Sequence, residues 1–183
     1  MKLELKMTLE SDAIFGNGMS TPGGEDISVQ FDEQGFPYYK GSTFKGVFRE
    51  EYARYLEWTD KKEDIDRMFG IAGSDEQEGK IVFSDFVLSE NVRNQVVQEF
   101  ENNFVEISEC LTNTRTFTKV EDGSAKDGSL RTARCINKGL VFYSTLDCEE
   151  QDASTIREVL GLVKWIGTMR NRGFGKVKIE VVE

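Results

Sequence analysis

Three groups of residues have the types and spacing to do chemistry. Asp26 stands in a glycine-rich run (Gly16, Gly18, Gly23 and Gly24), directly after an alternating first segment. A carboxylate there can hold a divalent ion or orient a reacting hydroxyl; a plain turn aspartate fits the same spacing. The second group is Ser42, Lys45 and Arg49. Ser42 is a fitting N-cap for a helix, and Lys45 and Arg49 lie four apart on one side of it. Free N–H groups, a hydroxyl and two cations can hold a phosphate. Gly46 costs that helix about 1 kcal/mol against alanine, which suits close approach of something to its backbone. The third group is Arg170, Arg172, Gly173 and Gly175. Glycines admit a polyanion close to the backbone and arginines pair with phosphates; an ordinary helix-to-strand turn is the plainer alternative. Residues 161–178 contain no acidic side chain, although the formal net charge of the chain is −10.

Composition excludes other chemistries. There is no histidine, so histidine bases, Ser-His and Cys-His pairs and histidine-ligated zinc are ruled out. Cys110, Cys135 and Cys148 are odd in number and far apart, as in a reduced, cytoplasmic protein. No apolar run reaches membrane-spanning length and the start does not read as a signal peptide. The acidic balance argues against coating nucleic acid through bulk charge, so any such site must be local. Gly41-Ser42-Thr43-Phe44-Lys45-Gly46 lacks the order of a nucleotide P-loop.

The elements that must position these residues follow from periodicity. Residues 2–10 alternate with Leu3, Leu5, Met7 and Leu9 on one face, a half-buried strand. Val29 and Phe31 begin a hairpin arm before a turn at Asp32–Gly35. Phe44, Val47, Phe48, Tyr52, Tyr55 and Leu56 form the buried stripe of a helix over 43–57. Residues 57–79 are heavily acidic and read as a surface excursion. Residues 80–88 form a strand and 91–104 a weak helix. Residues 112–139 carry Arg115, Lys119, Lys126, Arg131, Arg134 and Lys138, a long, locally basic hairpin with Gly123 and Gly128 about its turn. Residues 140–146 form a strand. A helix from about Ser154 presents Ile156, Val159, Leu160, Val163 and Ile166 to the core, and Val177, Ile179 and Val181 alternate in a last strand. Two helices over one face of an antiparallel sheet give an α+β, ferredoxin-like fold in one domain, with the other face open to a ligand.

Taken in order, these pieces resemble the RAMP superfamily, most closely the backbone subunits of type III CRISPR–Cas effector complexes. Ser11 through Gly16 resembles the family opening and Gly24-Glu25-Asp26 its G-x-D loop. Gly35 through Arg49 resembles the family's G-L-P-Y-I-P-G-S-S-L-K-G-x-x-R. Met68-Phe69-Gly70 and Phe83-Ser84-Asp85 resemble L-F-G and F-S-D, Asp122 through Gly128 the centre of a thumb hairpin, and Gly167 through Gly175 the glycine-rich loop. The resemblance implies a modified ferredoxin-like (RRM-like) fold with a projecting thumb, stacked with further copies of itself and other effector subunits along a guide RNA (crRNA). It implies that Ser42, Lys45, Arg49, Arg170, Arg172, Gly173 and Gly175 hold the guide, that Arg115, Lys119 and Arg131 border the guide–target duplex, and that Ala125 wedges at a displaced base. In slicing members the aspartate matching Asp26 supports cleavage of target RNA with a divalent metal, expected to be Mg²⁺. Those members often follow it with Asn-Pro, where this chain has Ile27-Ser28; Lys40 stands where proline is usual. Three readings result: a guide-binding subunit that cuts target RNA, the same scaffold without catalysis, or a ferredoxin-like domain for a protein or small molecule.

Overall fold

A computed structural model of the chain describes residues 1–16, 18, 26–61, 65–71, 80–118, 120, 121, 124, 125 and 128–182. The central sheet is antiparallel. Strand β1 (Lys2–Leu9) runs between β8 (Val141–Asp147) and β9 (Val177–Val182), and the two-residue strands β2 (Val82–Phe83) and β3 (Val87–Leu88) pair with the far side of β8. Leu3, Leu5, Met7 and Leu9 are all buried, so the period-two alternation specifies both the strand and its inner face.

That face is covered by α1 (Gly41–Thr59) and α5 (Ala153–Leu160), which touch each other. From α1, Phe44, Phe48, Tyr52, Tyr55 and Leu56 are buried. Phe44 meets Phe86 at 4.7 Å and Phe83 at 5.0 Å between ring centroids, and Phe48 meets Phe69 at 5.8 Å. Tilted and edge-on rings at these separations are the favoured aromatic geometry. The larger of two cores draws on residues from Leu3 to Ile179, and a smaller one gathers Ile14, Ala133 and Cys135.

Several boundaries differ from the periodicity. Helix α5 stops at Leu160, where Gly161 withdraws helix propensity, yet Val163 and Ile166 remain buried in the segment that follows. The weak helix becomes two, α3 (Glu90–Glu99) and α4 (Phe104–Leu111), separated by Glu101 and Asn102 at positive φ and started by Asn103, whose side chain accepts from Val105 and Glu106 N–H. Within the acidic excursion, α2 (Ile65–Phe69) sends Met68 and Phe69 into the core; residues 62–64 and 72–79 lie outside the described residues.

The basic hairpin forms as expected. Strands β4 (Thr112–Phe117) and β7 (Arg131–Ile136) pair from Thr112↔Ile136 to Phe117↔Arg131, and a smaller pair, β5 (Val120–Glu121) and β6 (Ser124–Ala125), follows further out. Lys119 and Lys126 lie outside the described residues; Ala125 is placed in β6, opposite Val120.

Ser42 is not the N-cap of α1. Lys40 holds that position without a side-chain bond, and Gly41 N–H donates to Asp85 Oδ1 at 2.8 Å. The cap comes from the Phe83-Ser84-Asp85 turn, which lies so close that a Cβ on Gly41 would overlap Phe83 O and stand 2.6 Å from Ser84 O. A Cβ on Gly46 would meet nothing within 4 Å. Gly41→Ala is therefore expected to destabilise the fold by about 1–3 kcal/mol through overpacking, and Gly46→Ala to stabilise it by about 0.5–1 kcal/mol. Urea unfolding of both variants checks this; equal shifts in the two would refute the contrast.

Candidate nucleic-acid interface

The candidate site is assembled around Ser11–Phe15, which leaves β1 and bonds both the hairpin base and the C-terminal glycine loop. Ala13 exchanges backbone hydrogen bonds with Ile136 at the base of the hairpin, at 3.0 and 2.7 Å. Asp12 Oδ2 accepts from Arg115 Nη2 at 2.8 Å, and its Oδ1 from Lys138 N–H at 3.0 Å. On the other side, Gly175 N–H donates to Asp12 O, Thr168 N–H to Ile14 O, and Lys176 N–H to Ser11 Oγ. The hairpin and the C-terminal glycine loop are thus bonded to one strip of chain.

Glycine is required where that loop closes. Gly175 has φ +77°, and a Cβ there would overlap Ile166 O; Gly167 has φ +72°, and a Cβ there would overlap Ile14 O. Both positions demand a left-handed backbone in close contact. Gly173 is also left-handed but faces open space. Between them, Arg170–Arg172 form a single 3₁₀ turn. Arg172 lies over the Phe117 ring at 5.4 Å, and Phe174 meets that ring edge-on at 5.6 Å, so the loop seats against the hairpin.

Asp26 is held at the same base. Its Oδ1 accepts from Arg131 Nη1 and its Oδ2 from Thr132 N–H, both at 2.8 Å. The Thr132 N–H, then Arg131, hold its carboxyl below its ordinary pKa. For Asp12, burial favours the neutral acid, but Arg115, Lys138 N–H and Asn113 together outweigh it and the net shift is also downward. Both aspartates are ionised at neutral pH.

Among the described residues, no cluster of protein ligands that would hold a divalent ion by itself surrounds Asp26. Both oxygens of Asp26 are engaged, one by a cation, and among the described residues no three of His, Cys, Asp and Glu converge. Asp26 stands there as a fixed anion and hydrogen-bond acceptor.

The expected phosphate wall on α1 is divided. Arg49 turns toward α2, where it meets Asp66 Oδ1 at 3.0 Å and Gly70 O at 3.3 Å, tying α2 to α1. Ser42 is exposed in the first helical turn and Lys45 is half-buried. Arg54 lies five residues beyond Arg49, about 140° further round the helix. It faces an open groove of about 1090 Å³ between α1 and the segment after α5. That groove is lined by Glu51 and Arg54 from one side and by Lys164, Trp165, Arg170 and Arg172 from the other. Arg54 is paired with Glu51 at 2.7 Å. Among the described residues no carboxylate pairs with Lys164, Arg170 or Arg172, whereas Arg49, Arg54, Arg115 and Arg131 each have one.

The structure therefore joins Arg170, Arg172, Gly173 and Gly175 with the hairpin base that holds Arg115, Arg131 and Asp26. It leaves Ser42, Lys45 and Arg49 off the residues lining the groove and adds Arg54, Lys164 and Trp165. The absence of acids over 161–178 was the signal for Lys164 and Trp165. The outer face of the sheet is mixed in charge: Glu4, Lys178 and Glu180 are exposed, with Lys178 paired to Glu180 at 2.6 Å. No helix among the described residues is long and apolar enough to cross a membrane.

Comparison with known proteins bears on this arrangement. Residues 6–178 match the family described as the RAMP superfamily. No curated protein matches the chain. Among solved structures, it is similar to a chain of the type III-B Cmr-beta complex bound to cognate target RNA, with TM-score 0.73, 13% identity, and coverage of 99% of this chain and 97% of that one. It is also similar to a chain of Cmr-beta in the apo state, with TM-score 0.71, 14% identity, and coverage of 100% and 98%. At these identities the likeness is one of fold.

Titration tests the hairpin base. Because the folded-state pKa of Asp26 is depressed, its contribution is complete above the unfolded carboxylate value and fades only as pH falls through the folded value. Carboxyl NMR is expected to place Asp26 below its ordinary midpoint, and Arg131→Ala to raise that midpoint without fully restoring it, since Thr132 N–H remains. Full restoration by Arg131→Ala would contradict the assignment of the backbone bond as the larger cause.

Proposed function

The chain belongs to the RAMP superfamily, and from that premise we propose that it is a guide-RNA-binding backbone subunit of a type III CRISPR effector complex, working with target RNA, further copies of itself and other effector subunits. The observation that carries this reading is the loop at 161–175. Lys164, Arg170 and Arg172, without carboxylate partners among the described residues, stand on a backbone fixed by Gly167 and Gly175 beside an open groove. Cations that need not first break an ion pair, on a segment already ordered, bind phosphate at least cost. A protein of net charge −10 holds RNA through such a local field. Gly173, open and left-handed, lets a sugar–phosphate chain approach the backbone. Ser42 and Lys45 are the α1 residues proposed to meet the guide, beside the open position at Gly46; the basic hairpin, with Arg115, Lys119 and Arg131, borders the duplex, and Ala125 is its proposed wedge.

Cleavage of target RNA at the hairpin base is the second reading, and Asp26 is the observation behind it. The reaction is in-line attack of a 2′-OH on the adjacent phosphorus. The 2′-oxygen–phosphorus bond forms, the 5′-oxygen leaves with a proton, and a 2′,3′-cyclic phosphate remains. An ionised Asp26 accepts a hydrogen bond from the attacking hydroxyl and so aligns it, while Arg131, drawn from Asp26 to the phosphate, offsets the charge that develops there. A divalent ion serving this reaction would take Asp26 as a protein ligand, with RNA oxygens and water completing its shell, and would offset charge on the phosphate.

Replacing Arg170 and Arg172 together by Glu is expected to weaken RNA retention more than tenfold. The slope of log K against log[salt] should flatten by about 0.7 for each single-strand phosphate that the variant no longer neutralises. Retention and slope equal to the wild type would rule out the loop as the phosphate site. In the assembled complex, Asp26→Ala should abolish target cleavage while guide retention persists; undiminished cleavage removes Asp26 from the reaction.

A further inference from the structure

Trp165 stands out among the groove residues because its ring is partly open to solvent beside several cations. It is 38% exposed, no aromatic ring stacks on it, and its indole N–H has no hydrogen-bond partner among the described residues. A single exposed indole needs no explanation by itself. Its surroundings supply the argument. Lys164 precedes it in sequence, Arg170, Arg172 and Arg54 line the same groove, and no acid occurs over 161–178.

The backbone beneath the ring is fixed. Trp165 bridges Lys176 across the loop, Ile166 N–H donates to Gly175 O at 2.9 Å, and Ile166 itself is fully buried. Little ordering entropy therefore remains to be lost when a flat partner settles on the ring. The groove, at about 1090 Å³ and open to solvent, suits a chain that passes through it better than an enclosed small molecule.

We propose that Trp165 is a stacking platform for one nucleobase of the RNA whose phosphates are held by Lys164, Arg170 and Arg172. This rests on the guide-binding reading and extends it from the backbone to a base. Every base has a π-face, so such a contact tolerates any sequence while fixing the position of one nucleotide along the strand. The cations supply the salt-dependent part of the affinity and the indole a part that salt does not screen.

The chain has two tryptophans, Trp58 and Trp165, so Trp58→Phe leaves Trp165 as the only indole reporter. With a short single-stranded oligouridylate as probe, its fluorescence is expected to quench in step with binding measured by filter retention. Trp165→Ala is expected to weaken binding about tenfold, and Trp165→Phe to restore most of it; the remaining salt slope should be unchanged in both. Binding without quenching, or equal affinity of Trp165→Ala, overturns the stacking contact and leaves the guide-binding reading intact. No retention of the oligouridylate at low salt by the wild-type chain overturns both.

Discussion

The strip Ser11–Phe15 is the constraint on which the candidate site depends. Its side chains and carbonyls face two ways at once. Asp12 gathers Arg115 and Lys138 N–H from the hairpin, while its carbonyl takes Gly175 N–H from the glycine loop. Phe15 carries the strip into the core, 4.6 Å from the Tyr39 ring. The hairpin and the loop are each separated from the strip by about a hundred residues or more of sequence, and the strip makes them one body with the core. Loss of Asp12 would leave Arg115 without its carboxylate and the hairpin base without a charge-assisted bond.

The distribution of cations follows from the same arrangement. At the hairpin base, Arg115 and Arg131 are paired with Asp12 and Asp26. Along the loop, Lys164, Arg170 and Arg172 have no carboxylate among the described residues and are held by backbone bonds and glycine contacts instead. The first set is suited to orientation and the second to binding. In this acidic chain, Arg115 and Arg131 are neutralised locally at the hairpin base, whereas Lys164, Arg170 and Arg172 share a groove with the Arg54–Glu51 pair.

Local patterns in the chain carried much of the fold. The alternation of Leu3, Leu5, Met7 and Leu9 fixed β1, the stripe from Phe44 to Leu56 fixed α1, and the turn glycines with basic residues marked the hairpin. What escaped was non-local. The Asp12–Arg115 and Asp26–Arg131 pairs join residues 103 and 105 apart and leave no periodic trace. The Asp85 cap on Gly41 comes from a turn 44 residues away, so Ser42 looked like the cap because it had the right side chain at the right place. The Arg49–Asp66 pair was also hidden, because Asp66 lies in a charge run with no helical signature. The glycine loop was legible because its signal, an absence of acids around Gly173 and Gly175, is local.

The proposed path of RNA runs along the groove between α1 and the 162–172 segment and past the base of the hairpin, rather than over the open face of the sheet. Photocrosslinking of the chain to 4-thiouridine-substituted RNA, with mass spectrometry of the crosslinked peptides, tests this most directly. Crosslinks in the peptides containing Trp165, Arg172 and Phe174, and in the hairpin strands, are the predicted result. Crosslinks confined to β1, β8 and β9, at residues such as Lys6, Tyr143 and Lys178, would contradict it.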